Sequence, residues 1–120
     1  MNAMQALQYF WAGFGWPAYN EYSVPDEVQL PYITYEAAND FLGETLGLTA
    51  SLWDRSPSWG SVMSKEQEIS DFIGRGGRAI AFDGGIIWIK RGTPWSQRLD
   101  EPSDSMIRRI VLNLEVEFIK

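Results

Sequence analysis

The chain has 120 residues, 45% of them apolar and 22% charged, with a net charge of −6 and neither Cys nor His. That length suits one domain with one modest core, and the absence of Cys rules out disulfides. The absence of His removes the usual acid–base residue, the Ser–His and Cys–His nucleophile pairs and the common zinc sites.

The charge is lopsided. Residues 1–57 carry seven acids against Arg55 alone, whereas residues 58–120 balance nine acids with nine bases, so the whole excess lies in the front half. A chain of pI about 4.5 does not hold a phosphate backbone by counterion release. Its acidic half either serves solubility or repels passing DNA and meets a basic partner. Aromatics make up 14% of the residues, more than a core this small hides, and surplus aromatic area is what buried partner interfaces favour.

In chain order, residues 1–20 (MNAMQALQYFWAGFGWPAYN) contain no charge. Met4, Leu7, Trp11 and Phe14 recur at three and four, which predicts an amphipathic helix ending near Gly13–Gly15. The stretch lacks the basic region and unbroken apolar run of a signal peptide, and it is too short and interrupted to span a bilayer. Tyr9, Phe10 and Trp16 lie off the apolar stripe and are candidates to face a neighbour. Asn20–Leu30 reads as a polar connector. Pro31–Glu36 (PYITYE) reads as a strand or sheet edge, Ala37–Gly47 as a loop, and Leu48–Arg55 as a second strand that pairs antiparallel with the first. Ser56-Pro57-Ser58 has the residues of a helix start. Val62, Ile69, Phe72 and Ile73 then form one helical face, and Gly74-Arg75-Gly76-Gly77 stops the helix. Ala79–Phe82, Asp83-Gly84-Gly85 and Ile86–Arg91 spell a β-hairpin. Arg91–Ser105 reads as a long loop bearing an exposed Trp95.

Met106–Lys120 closes the chain with a period-two pattern. Ile110, Leu112, Leu114, Val116 and Phe118 share one parity, and Arg109, Asn113, Glu115 and Glu117 the other, as in a long strand with one buried and one wet face. It is expected to be the backbone of the sheet. The reading is a single α+β domain over residues 1–120, with two helices laid on a largely antiparallel sheet of four to five strands and a long C-terminal strand.

The residues that carry chemistry elsewhere do not combine here. Gly74–Arg78 (GRGGR) follows a helix and lacks the context of a phosphate loop. Glu115 and Glu117 sit about 7 Å apart by strand geometry, but nothing separates their proton affinities. Asp100, Glu101 and Asp104 do not match the spacing of a calcium loop. No catalytic residue, metal or cofactor is assigned. Arg108 has the parity of the buried face, so either the strand projects beyond the core there or the guanidinium is paired.

Several stretches together carry a resemblance. They are Leu30-Pro31-Tyr32-Ile33-Thr34-Tyr35, then Ser51-Leu52-Trp53-Asp54-Arg55-Ser56 with Trp59, then Asp83-Gly84-Gly85 before an Ile/Trp strand. Gly92-Thr93-Pro94-Trp95-Ser96-Gln97-Arg98 follows, then Asp104, Ile107-Arg108-Arg109-Ile110, Asn113 and Glu117-Phe118. In this order, over about residues 14–119, the chain resembles the small tail-terminator (tail-completion, or minor capsid) proteins of bacteriophages with long non-contractile tails. The resemblance implies a non-enzymatic virion protein, assembled in the host cytoplasm, that forms a homohexameric ring on the head-proximal end of the tail tube. Its partners would be its own copies, the tail tube protein and the head–tail connector or stopper, with genomic DNA passing unbound and no membrane. On that reading, contacts fall to Trp11, Trp16, Tyr32, Trp95, Arg98, Arg108, Arg109, Glu115 and Glu117. Glu21, Asp26, Glu36, Asp40 and Glu44 would line the channel. A head–tail stopper or tube subunit shares the assembly logic, and a cellular small-molecule-binding domain is the rival from another class, expected to hold one deep cavity.

Overall fold

In the computed structural model, which describes residues 1–37 and 44–120, the long C-terminal strand β6 (Ile107–Ile119) lies inside a sheet. Its neighbours are β3 (Thr45–Arg55) and β5 (Gly85–Asp100), both antiparallel to it. β2 (Tyr32–Tyr35) flanks β3, and β4 (Arg78–Phe82) flanks β5. The order is β1-β2-β3-β6-β5-β4, with β1 (Ala18–Asn20) at one edge and β4 at the other.

The expected parity holds along β6: Ile110, Leu112, Leu114, Val116 and Phe118 are all at most 3% exposed. Register carries this buried face sideways. Leu52, Ala50 and Leu48 stand opposite Ile110, Leu112 and Leu114, while Ile87 and Ile89 stand opposite Phe118 and Val116. Helices α1 (Ala3–Ala12) and α2 (Gly60–Ile73) cover this face with Leu7, Phe10, Trp11, Val62, Ile69 and Ile73. Full burial of each such side chain contributes about 1.5–3 kcal/mol, which is why one alternating strand organises the rest. α1 begins on a capping box, with Asn2 and Gln5 bonding each other's amides at 2.8 and 2.9 Å. It ends at Gly13. Gln8 then ties it down, donating to the Ala18 carbonyl and accepting from the Tyr35 hydroxyl. Burial pushes that phenol above its ordinary value.

The α+β class and the two helices agree with the sequence reading; the sheet differs. It has six strands instead of four or five, and it is mixed, because β1 runs parallel to β2. Arg91–Ser105 is not a loop. Through Asp100 it continues β5 along β6, with Ser96–Asp100 opposite Leu112–Arg108. The pairing shifts between Arg91 and Ser96, where the extra residues bulge out and the Asn113 side chain donates to the Pro94 carbonyl at 3.0 Å. Thr45–Gly47 likewise belongs to β3, opposite Glu117–Glu115. The rest of the loop expected at Ala37–Gly47 lies largely outside the described residues.

The second helix starts at Gly60, beyond the expected Ser-Pro-Ser signal, and Trp59 supplies no capping bond. Ser56 and Pro57 are tied to β6 through Arg108 instead. Its guanidinium takes the carbonyls of Ser56 and Pro57 at 3.0 Å each, and the Ser56 amide donates to Met106 at 2.9 Å. Phe72, expected on the buried helical face, is 39% exposed. The hairpin turn falls at Asp83-Gly84 as expected, with Gly84 at φ 93°.

Candidate interaction surface

The helices cover one face of the sheet; the other carries a row of side chains fixed by register. Tyr32, Trp53, Arg109 and Leu99 stand directly opposite one another across β2, β3, β6 and β5. The Tyr32 and Trp53 rings lie 6.2 Å apart, and Tyr19 on β1 extends the row, 6.0 Å from Tyr32. The Arg109 guanidinium lies 4.3 Å from the Trp53 ring centroid, a contact worth about 0.5–1 kcal/mol where exposed. The polar ends are held within the sheet: the Trp53 indole donates to Thr34 Oγ1 at 3.0 Å, and Arg109 donates twice to Ser51 Oγ, at 3.1 and 3.2 Å. Rings fixed in this way lose little freedom on contact. Leu99, 40% exposed, ends the row.

A second cluster gathers Trp59, Arg98 and Arg108. Both guanidinium groups lie against the Trp59 ring, at 5.2 and 5.3 Å. Arg98, exposed, reaches the Met63 sulfur. Arg108 is half-buried. It satisfies its charge with backbone carbonyls, not with an acid, although Asp54 and Asp100 stand opposite it on the neighbouring strands. None of Arg98, Arg108 and Arg109 closes an ion pair among the described residues, whose pairs are Arg55–Asp104, Lys65–Glu68 and the N-terminal amine with Asp83.

Asp104 stands apart. The Met106 backbone amide, and then the Arg55 guanidinium, hold its carboxyl below the ordinary value of 3.8. A depressed carboxyl stabilises the fold above its unfolded value, and that contribution is lost as pH falls through the folded one. Asp104→Asn is therefore expected to melt below the wild type at pH 7 and to converge with it as pH falls through the depressed folded value. A gap that widens on acidification would contradict the assignment.

No family model, no curated protein and no solved structure matches this chain.

The remaining residues expected at contacts fall in different places. Trp11 is in the core, 3% exposed and stacked 6.2 Å from Tyr35, so it presents almost nothing to a neighbour. Trp16 is partly buried, with the Lys65 ammonium 5.5 Å from its ring. Trp95 is not the exposed anchor expected of a loop. It packs partly buried against the core beside the bulge, with its indole N–H buried and unpaired. Glu115 and Glu117 lie on the open face, opposite Lys90 and Trp88.

Of the acids, Glu21, Asp26 and Glu44 are exposed, and Asp40 lies outside the described residues. Glu36 is half-buried and fastened to Thr49, accepting from its amide at 2.7 Å and its hydroxyl at 2.6 Å. It braces β2 against β3 and does not project freely. Trp53, Trp59, Tyr19 and Leu99 were missed as contact candidates. The signal for Trp53 was present, since it has the outward parity of its strand beside Tyr32.

No group of three or more metal-ligating side chains occurs among the described residues, and no helix there is long and apolar enough to cross a membrane. The space enclosed under the sheet beside Leu7, Trp11, Leu48 and Val116 is about 10 Å³; larger clefts, about 540 Å³ beside Asn2, Phe82 and Phe118 and about 370 Å³ beside Tyr9 and Phe72, open to the surface.

Proposed function

We propose that this chain is a non-enzymatic virion protein. It caps the head-proximal end of a long phage tail tube as a homohexameric ring, stops tube growth and joins the tail to the head connector. The observation that carries this reading is the row Tyr32–Trp53–Arg109–Leu99: a rigid aromatic surface with a cation that no carboxylate among the described residues neutralises. Exposed acids that form no ion pair among the described residues, Glu21, Asp26 and Glu44, sit elsewhere on the same chain. Unlike surfaces on one protomer make head-to-tail contacts, which close into rings when the rotation permits. The order of stretches that resembles tail-terminator proteins supports the same conclusion. In such a ring the acids not taken up between copies, Glu44 among them, face passing DNA and repel it, and no cofactor is required.

Imaging the purified protein alone, and then mixed with tail tubes, tests this. Rings seated on one tube end, with tube growth halted, are the expected result. Long tubes of this protein alone would make it a tube subunit, and rings that bind the connector but not the tube would make it a stopper. Arg98→Ala, at an exposed site, is expected to lower ring formation about tenfold while leaving the fold intact. Unchanged assembly by light scattering would remove Arg98 from the contact.

A further inference from the structure

The two edges of the sheet differ in charge and in the aromatic groups they expose. Beside the β4 edge, Tyr9, Phe10, Gly13, Phe14, Phe72 and Ile80 line an apolar groove of about 370 Å³. Tyr9 is 73% exposed along it, and Phe72 sits 6.0 Å from Phe10 and 5.5 Å from Phe14. Its rim is basic. The Arg78 guanidinium lies 4.2 Å from the Phe72 ring and donates to the Phe72 carbonyl, and Arg75 is exposed nearby in sequence. Neither arginine closes an ion pair among the described residues, and the acid lining the groove, Glu68, is already taken by Lys65 at 2.8 Å.

The β1 edge is the complement. Tyr22, two residues past β1, is 85% exposed, more than any other large apolar or aromatic side chain described. Its backbone is nevertheless held: its amide donates to Asn20 Oδ1 at 3.1 Å, the Ser23 amide to the Asn20 carbonyl at 2.8 Å, and the Glu21 amide to the Tyr35 carbonyl at 2.9 Å. Exposed Glu21, Asp26 and Glu27 surround it in sequence, and none is ion-paired among the described residues. An aromatic side chain on a held backbone, with acids beside it in sequence, thus stands at one edge, and an aromatic groove bordered by arginines at the other.

We infer that Tyr22 of one copy enters the Tyr9–Phe72 groove of the next, with Glu21, Asp26 and Glu27 facing Arg75 and Arg78. The partner is a second copy of this chain, and the contact is head-to-tail because its two halves lie at opposite sheet edges. The inference rests on the ring reading and names the surfaces that meet. Tyr supplies large contact area at low entropic cost, as anchors of interfaces do.

Sedimentation of the full chain over a concentration series tests it. Tyr22→Ala is expected to weaken self-association at least about 30-fold, and Arg75→Glu to weaken it and flatten its salt dependence. Neither side chain supports the fold, so circular dichroism should match the wild type. Combining Arg75→Glu with Glu27→Arg should recover association that each change alone loses. Wild-type-like association of both Tyr22→Ala and Arg75→Glu would overturn these surfaces while leaving ring formation itself standing. A wild type that stays monomeric at every concentration also overturns the contact, and capping of tubes by microscopy then decides the ring reading separately.

Discussion

Leu112→Ala is expected to cost the fold about 4 kcal/mol, whereas Val111→Ala next to it costs less than about 1 kcal/mol. Leu112 is 0% exposed, between Ala50 and Ser96 on the face that the helices cover. Truncating it removes transfer energy and leaves a cavity that two flanking strands cannot collapse into. Val111 has the opposite parity, between Ser51 and Gln97 on the open face, and is only half-buried. Against a total stability of about 5–15 kcal/mol, the first change removes a large fraction. It should lower the melting temperature by about 15 °C for a chain of this length. Urea unfolding of the two variants measures the contrast directly. Equal losses would mean that both faces of β6 are covered, and that would abolish the open surface on which the proposed contacts depend.

What the residues revealed unaided follows the same physics. The alternation from Ile110 to Phe118 was legible because each side chain reports its own environment at a period of two. The Asp83-Gly84 turn and the stop of α1 near Gly13 were legible because they are local. Failures fell where distant pairing decides the outcome. Ser96–Asp100 looks like loop in composition, yet β6 supplies its hydrogen-bond partners. Ala18–Asn20 carries no strand signal and is a strand only because β2 runs beside it. Ser56-Pro57 has the residues of a helix start, but Arg108, 51 residues beyond Pro57, claims their carbonyls. The candidate surface was half visible for the same reason. Tyr32 and Arg109 were named singly, but that they share one row with Trp53 and Leu99 is a fact of register. A count of surplus aromatics does not say where each ring sits, and Trp11 lies in the core. It turned out to be the ring that Tyr35 stacks upon.

Gly85→Ala is expected to cost about 3 kcal/mol, and Gly84→Ala about 1 kcal/mol, although both residues stand at the same hairpin. Gly84 needs its glycine for conformation: it sits at φ 93° with open space around it, so an added methyl meets strain and nothing else. Gly85 needs it for room. A Cβ there would lie 2.2 Å from the Ile119 carbonyl oxygen and 3.1 Å from its carbon, both backbone atoms of β6. Backbone cannot swing aside as a long side chain does, so the β4–β5 hairpin must shift away from the end of the central strand. That shift would carry Ile80 with it and open the groove beside Tyr9 and Phe72. Thermal unfolding ranks the two variants, and the reverse order would mean that turn strain outweighs the close approach of β5 to β6. Sedimentation adds the functional readout. Gly85→Ala should lose self-association even at temperatures where it remains folded, and Gly84→Ala should keep it. Equal association by the two folded variants would separate the groove's shape from the packing of the hairpin.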